Sequence, residues 1–219
     1  MAGIFTGSDP LSYKHPEISS YAYCDWNPIK YVDPDGREKH IFASNSESNP
    51  ARNFKDDDGI YFFAHGSKKG FIKNDCGVAN LDEKVYSNAL AKYVTDKSAQ
   101  WKKDAAEGNT SMVFLYACHA GEGDNSLAQQ LSEQLNDHET YVIGPMNLLV
   151  SEKADRPDAE YLGVRDSRKF DRPWGVYQNG KLVTTIRGNK CPNKTTVQRQ
   201  LFFTHLWNSI KNFFKHDNE

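Results

Sequence analysis

Two residues of the chain combine a reactive side chain with a telling position, Cys118 and His65. A thiolate is a potent nucleophile, and an imidazole titrates near neutrality, so it can take up a proton and return it. Cys118 follows Met112–Ala117, an unbroken apolar run, and precedes His119-Ala120-Gly121-Glu122-Gly123, which is loop chemistry. His65 follows a second apolar run, Ile60–Ala64 (I-Y-F-F-A), and precedes Gly66. Apolar runs without polar alternation suit strands covered on both faces, as in a parallel sheet between helices. Each reactive side chain is therefore expected where a central strand hands the chain to a loop, at the carboxyl edge of the sheet where ligands collect. His119 is a rival base, but a neighbour on an extended chain points to the opposite side. Cys76 is a rival nucleophile; it follows no apolar run and reads as a bystander.

The elements that must position this pair can be read outward from it. Glu38–Ala43 reads as a first strand, Asn45–Asp58 as a polar loop and Phe71–Asn74 as a short hairpin return. Asn80 and Glu83 make a capping-box-like start for one long helix. Leu81, Val85, Ala89 and Tyr93 keep its spacing, with Leu90, Val94 and Trp101 beside them, until Gly108. A right-handed strand–helix–strand crossover places the two apolar strands parallel in one sheet, so His65 and Cys118 open on the same edge. Asp124-Asn125 can cap a further helix carrying Leu127, Ala128, Leu131 and Leu135, and Thr140–Gly144 reads as another buried strand.

Pro145–Pro173 is irregular and charged, and reads either as a solvated loop or as a wall of a substrate groove. On the second reading Trp174, Arg172 and Asp171 line the groove. Arg165, Arg168 and Arg172 would favour an acidic substrate side chain, whereas Asp166 and Asp171 would favour a basic one. Trp174–Val183 reads as a hairpin around Asn179-Gly180. From Thr195 an amphipathic helix carries Phe203, Leu206, Trp207, Ile210, Phe213 and Phe214 in one stripe, expected to pack on the flank of the sheet.

The bulk composition narrows the function classes. The 219 residues suit one domain with a short appendage, and 27 basic against 29 acidic residues give a net charge of −2. That balance lacks the basic footprint of a nucleic-acid binder. Cys24, Cys76, Cys118 and Cys191 are too far apart for a zinc site or a small disulfide scaffold, and read as reduced thiols. Neither a metal nor another cofactor is expected. No apolar stretch approaches the ~20 residues needed to span a bilayer, and the first ten residues do not read as a secretory signal. No G-x-S-x-G occurs, which argues against a serine hydrolase.

The first 37 residues are punctuated by aromatics and prolines, and Pro16–Gly36 (P-E-I-S-S-Y-A-Y-C-D-W-N-P-I-K-Y-V-D-P-D-G) resembles the closing segment of the Rhs/YD-repeat core. Pro28, Asp33, Pro34 and Gly36 match that family's junction motif, and Arg37 stands where the family usually has Leu. The resemblance implies a short extended core remnant at residues 1–37 and a toxin module at 38–219. It further implies a polymorphic effector of the type VI secretion kind, used in bacterial competition. Such an effector would reach the target-cell cytoplasm without a signal peptide. Its partners would be a cognate immunity protein and, in a full-length relative, an Rhs shell.

The toxin module itself resembles the caspase-like (clan CD) cysteine peptidases. It shares an apolar strand ending in His-Gly (His65, Gly66), a crossover, and an apolar strand ending in Cys118. Residues 65 and 118 are 53 positions apart, against roughly 50 in caspases. The caspase signature itself is absent, because Tyr116 replaces its Gln and His119-Ala120-Gly121 follows the cysteine. The resemblance implies an α/β sandwich with a mostly parallel central sheet and helices on both faces. It implies a thiol endopeptidase acting on a protein substrate, with Cys118 as nucleophile, His65 as general acid–base, and the backbone N–H groups of Gly66 and Cys118 holding the oxyanion. Two alternatives belong to other classes: a catalytically inactive binding toxin, and a nuclease, the common cargo of Rhs shells.

Overall fold

The structure is a computed structural model that describes residues 38–44, 49–54, 59–153, 156–165, 173–187 and 191–216. The chain divides at Gly36 into Met1–Gly36 and Arg37–Glu219, and every described residue belongs to the second unit. The extended remnant expected at residues 1–37 lies outside the described residues.

In chain order the elements are β1 (Glu38–Ile41), α1 (Asn49–Asn53), β2 (Ile60–Phe63), β3 (Gly66–Ser67), β4 (Phe71–Lys73) and β5 (Lys84–Tyr86). There follow α2 (Ser87–Lys97), α3 (Ala99–Glu107), β6 (Ser111–Tyr116), α4 (Leu127–Gln134), β7 (Thr140–Pro145) and β8 (Leu148–Ser151). The chain closes with β9 (Tyr161–Arg165), β10 (Trp174–Gln178), β11 (Lys181–Ile186) and α5 (Lys194–His216). The fold is mixed α/β, built on a six-stranded sheet in the order β1-β2-β6-β7-β10-β11. The first four strands run parallel, and β10 and β11 add antiparallel at the far edge.

The two apolar runs are the middle of this sheet, adjacent and parallel, and every residue of β2 and β6 is buried. Their side chains alternate between two cores. Ile60, Phe62, Val113 and Leu115 face one core with Leu90, Val94, Trp101 and Leu131 of α2, α3 and α4. Tyr61, Phe63, Met112, Phe114 and Tyr116 face the other with Ala51 of α1 and Val197 and Leu201 of α5. Helices thus cover both faces, which is why the runs carry no polar alternation.

Four local expectations are corrected. The single helix from Leu81 is a strand, β5, followed by two helices. Lys84-Val85-Tyr86 alternates exposed, buried, exposed and pairs with β4, so a strand period wins there. Ser98 then separates α2 from α3; its side chain accepts the Trp101 N–H, while the Glu38 carboxylate accepts from Ser98 Oγ (2.9 Å) and the Gln100 N–H (2.8 Å). A capping serine and a borrowed carboxylate at one N-terminus stabilise a fresh helix start. The cap of α4 is Ser126 rather than Asp124-Asn125. The segment read as irregular, Pro145–Pro173, holds the β8–β9 hairpin.

The fourth correction concerns α5. Val197 and Leu201 are buried, yet Phe202, Phe203, Leu206, Trp207 and Ile210 are exposed. The helix packs on the sheet through its first turns, and Phe203, Leu206, Trp207 and Ile210 of the expected stripe point away from it, while the side chains of Phe213 and Phe214 lie outside the described ones. No helix among the described residues is long and apolar enough to cross a membrane.

Candidate active site

Strand register sets the site. Phe63 pairs with Tyr116, and Ala64 N–H continues the ladder to the Tyr116 carbonyl at 3.2 Å. His65 and Cys118 each lie two residues past that pair, so adjacent parallel strands release them at one level. Both line a single cavity of about 160 Å³ at the carboxyl edge. Ala64 and Tyr116 form its floor, Ala43 after β1 flanks it, and Leu149, Ser151 and Tyr161 of the β8–β9 hairpin wall it.

Gly66 is fixed here by contact rather than by turn geometry. A Cβ added there would lie 2.1 Å from the Cys118 carbonyl oxygen and 2.8 Å from its nitrogen. Only a residue without a side chain lets the strand after His65 press against the backbone of the cysteine.

The Cys118 thiol is partly buried and donates to the Leu149 carbonyl at 3.5 Å. Burial pushes its pKa up, against smaller opposing contributions from the backbone of Leu149 and of Cys118 itself. Burial thus favours the neutral thiol at neutral pH. The His65 side chain is 48% exposed, with Nε2 3.9 Å from a carboxylate oxygen of Asp75. Asp75 is itself anchored, its N–H donating to the Phe42 carbonyl at 2.9 Å, and the His65 carbonyl accepts from the Lys73 N–H at 2.8 Å. A carboxylate facing the imidazole can orient the ring.

The loop after Cys118 is tied to the end of β7. His119 N–H donates to the Asn147 carbonyl and Gly121 N–H to the Pro145 carbonyl, each at 2.9 Å. Tyr177 Oη donates to the Gly121 carbonyl at 2.7 Å. His119 adopts a left-handed backbone (φ 62°) and bonds Glu122 through Nδ1, so it turns out of the cavity. Burial opposes charge on Glu122, but bonds from Lys68 and His119 hold its carboxyl below the usual range. Cys76 donates its thiol to the Ile41 carbonyl at 3.1 Å and does not line the cavity. The groove residue expected at Trp174 is corrected: this ring is 1% exposed, in the core behind the site, 4.9 Å from Tyr116. It faces inward because that face of the sheet is covered, and Trp174 packs there with Tyr116, Tyr141 and Val197. Arg172 and Asp171 lie outside the described residues, as do Asp166 and Arg168, and Arg165 ends β9 without lining the cavity.

A family model described as a domain of unknown function (DUF8616) matches residues 32–160, more than half of the chain. The chain belongs to this family. No curated protein and no solved structure matches it. The DUF8616 match takes in β1 through β8, and with them His65, Gly66, Asp75, Cys118, Leu149 and Ser151, whereas Tyr161 falls one residue beyond its end.

Several of these residues escaped sequence reasoning. Asp75 sits ten positions from His65, across a small antiparallel sheet that no short pattern announces. Tyr116 had a signal, standing two residues before the cysteine near the end of the apolar run. Its hydroxyl donates to the Pro192 carbonyl at 2.8 Å, which fixes the ring. Tyr161 had none. Burial, with the adjacent Cys191 and Cys118 thiols, pushes its phenol pKa far up. Burial likewise pushes the Cys191 thiol up to about 12, so this third cysteine is inert at neutral pH. Among the described residues no cluster of His, Cys, Asp and Glu could hold a metal ion.

Proposed function

We propose that this DUF8616 chain is a cysteine endopeptidase in which Cys118 attacks the scissile carbonyl and His65 moves the proton. One observation carries the reading: neighbouring parallel strands in register deliver both side chains to the same cavity. In the resting site the thiol is neutral, so the proton passes to His65 as the sulfur attacks. Asp75 orients the His65 ring for this transfer. The oxyanion sits against the N–H groups of Gly66 and Cys118, whose backbones are pressed together. His65 then protonates the leaving amine, and water hydrolyses the thioester. The fold is read as a caspase-like sandwich on the strength of this order of strands and reactive residues.

The wider role follows from the N-terminal resemblance. The chain acts as a toxin cleaving proteins in the cytoplasm of a competitor, with an Rhs shell in full-length relatives and a cognate immunity protein that covers the cavity. Expression in a bacterial cytoplasm tests this: the wild-type chain is expected to arrest growth, and Cys118→Ala and His65→Ala to be harmless while still folded. A folded Cys118→Ala protein that stays fully toxic contradicts the reading. The buried thiol bonded to Leu149 also favours a second reading, an inactive binding module; this one predicts that alkylating Cys118 leaves toxicity intact.

A further inference from the structure

The cavity beside Cys118 has a composition that selects among substrates. Its described lining holds one titrating side chain besides the thiol and the two phenols, namely His65, and no Lys, Arg, Asp or Glu. Its faces are the rings of Tyr116 and Tyr161, the methyl groups of Ala43 and Ala64, and Leu149. The polar atoms are largely committed. Tyr116 Oη is spent on Pro192, and Ser151 Oγ donates to the Glu152 carbonyl at 2.9 Å. The Tyr161 and Tyr116 rings pack edge to face, 5.2 Å apart, with Phe63 stacked 5.8 Å from Tyr161 behind them. The wall is therefore a rigid aromatic surface. A charged side chain entering it would lose its water with no ammonium, guanidinium or carboxylate among the described lining residues to meet it.

We propose that this cavity is the specificity pocket of the peptidase and takes an uncharged, apolar substrate side chain of leucine to phenylalanine size at the residue on the amino side of the cut. This rests on the peptidase reading above. Among the described residues, Tyr116, Tyr161, Leu149 and Ser151 set the preference. A space of about 160 Å³ accommodates a group of benzene size. Apolar contact with both rings then positions the scissile carbonyl over the thiol.

The test uses the full chain and peptides of one sequence differing only at that residue, carrying Leu, Phe, Asp or Arg, with Cys118→Ala as the blank. Cleavage of the Leu and Phe peptides should exceed that of Asp and Arg by on the order of tenfold or more in kcat/KM. Ser151→Arg places a cation in the wall and should shift the ratio toward Asp. Cys118-dependent cleavage that treats Asp or Arg as well as Leu overturns the pocket assignment and leaves the peptidase standing. An unchanged ratio in folded Ser151→Arg overturns it too. No Cys118-dependent cleavage of any peptide overturns the peptidase reading, and this inference with it.

Discussion

At the scale of the residue, the resting thiol is the most consequential feature. Burial raises the Cys118 pKa above that of an ordinary thiol, near 8.5. Raising the pH through and beyond that range generates thiolate, so alkylation by iodoacetamide should be slow at pH 7 and climb above pH 8.5. The rate is followed by intact mass, and a Cys118 already fully reactive at pH 6 would contradict the assigned environment. Asp75→Asn removes the charge facing His65 while keeping the shape. It should lower kcat on the order of tenfold by loosening the ring's orientation, with KM nearly unchanged. A loss confined to KM would make Asp75 a substrate contact instead. His65 and Cys118 were legible because each ends an apolar run with a glycine close by. Asp75 and Tyr161 were not, since their approach depends on turns and a hairpin that bring distant positions together.

At the scale of the element, apolar continuity identified β2, β6 and β7, and the Asn179-Gly180 turn identified β10–β11; both turn residues have positive φ (48° and 71°), as this hairpin type requires. The β5–α2 boundary was missed because Leu81, Val85 and Ala89 satisfy helical spacing while Val85 alternates with its own neighbours. The β8–β9 hairpin was hidden by the charged residues around it. Ser98 marks the break between α2 and α3, and Ser98→Ala should cost about 1 kcal/mol. The two faces of α5 separate energetically: Leu201→Ala, in the core, should cost about 2–4 kcal/mol. Phe203→Ser, on the outer stripe, should change stability by less than about 0.5 kcal/mol. Chemical denaturation of both variants checks the contrast, and equal losses would mean that the outer stripe is packed as well.

At the scale of the whole molecule, both cores among the described residues draw on residues 42–201, all in the unit Arg37–Glu219. If residues 1–36 are the proposed Rhs-core remnant, removing them should leave a chain that unfolds cooperatively at a nearly unchanged midpoint; a large drop would contradict that reading. The same unit carries every described residue of the proposed site, so the shortened chain should keep its activity. The central claim is proteolysis by the Cys118–His65 pair. Its most direct measurement is the mapping of new peptide termini in a bacterial lysate incubated with purified wild-type chain, with Cys118→Ala and Cys76→Ser run in parallel. A recurrent set of termini, present with wild type and Cys76→Ser and absent with Cys118→Ala, is the predicted result. A set of termini that persists with Cys118→Ala, or none above background with the wild type, would contradict it.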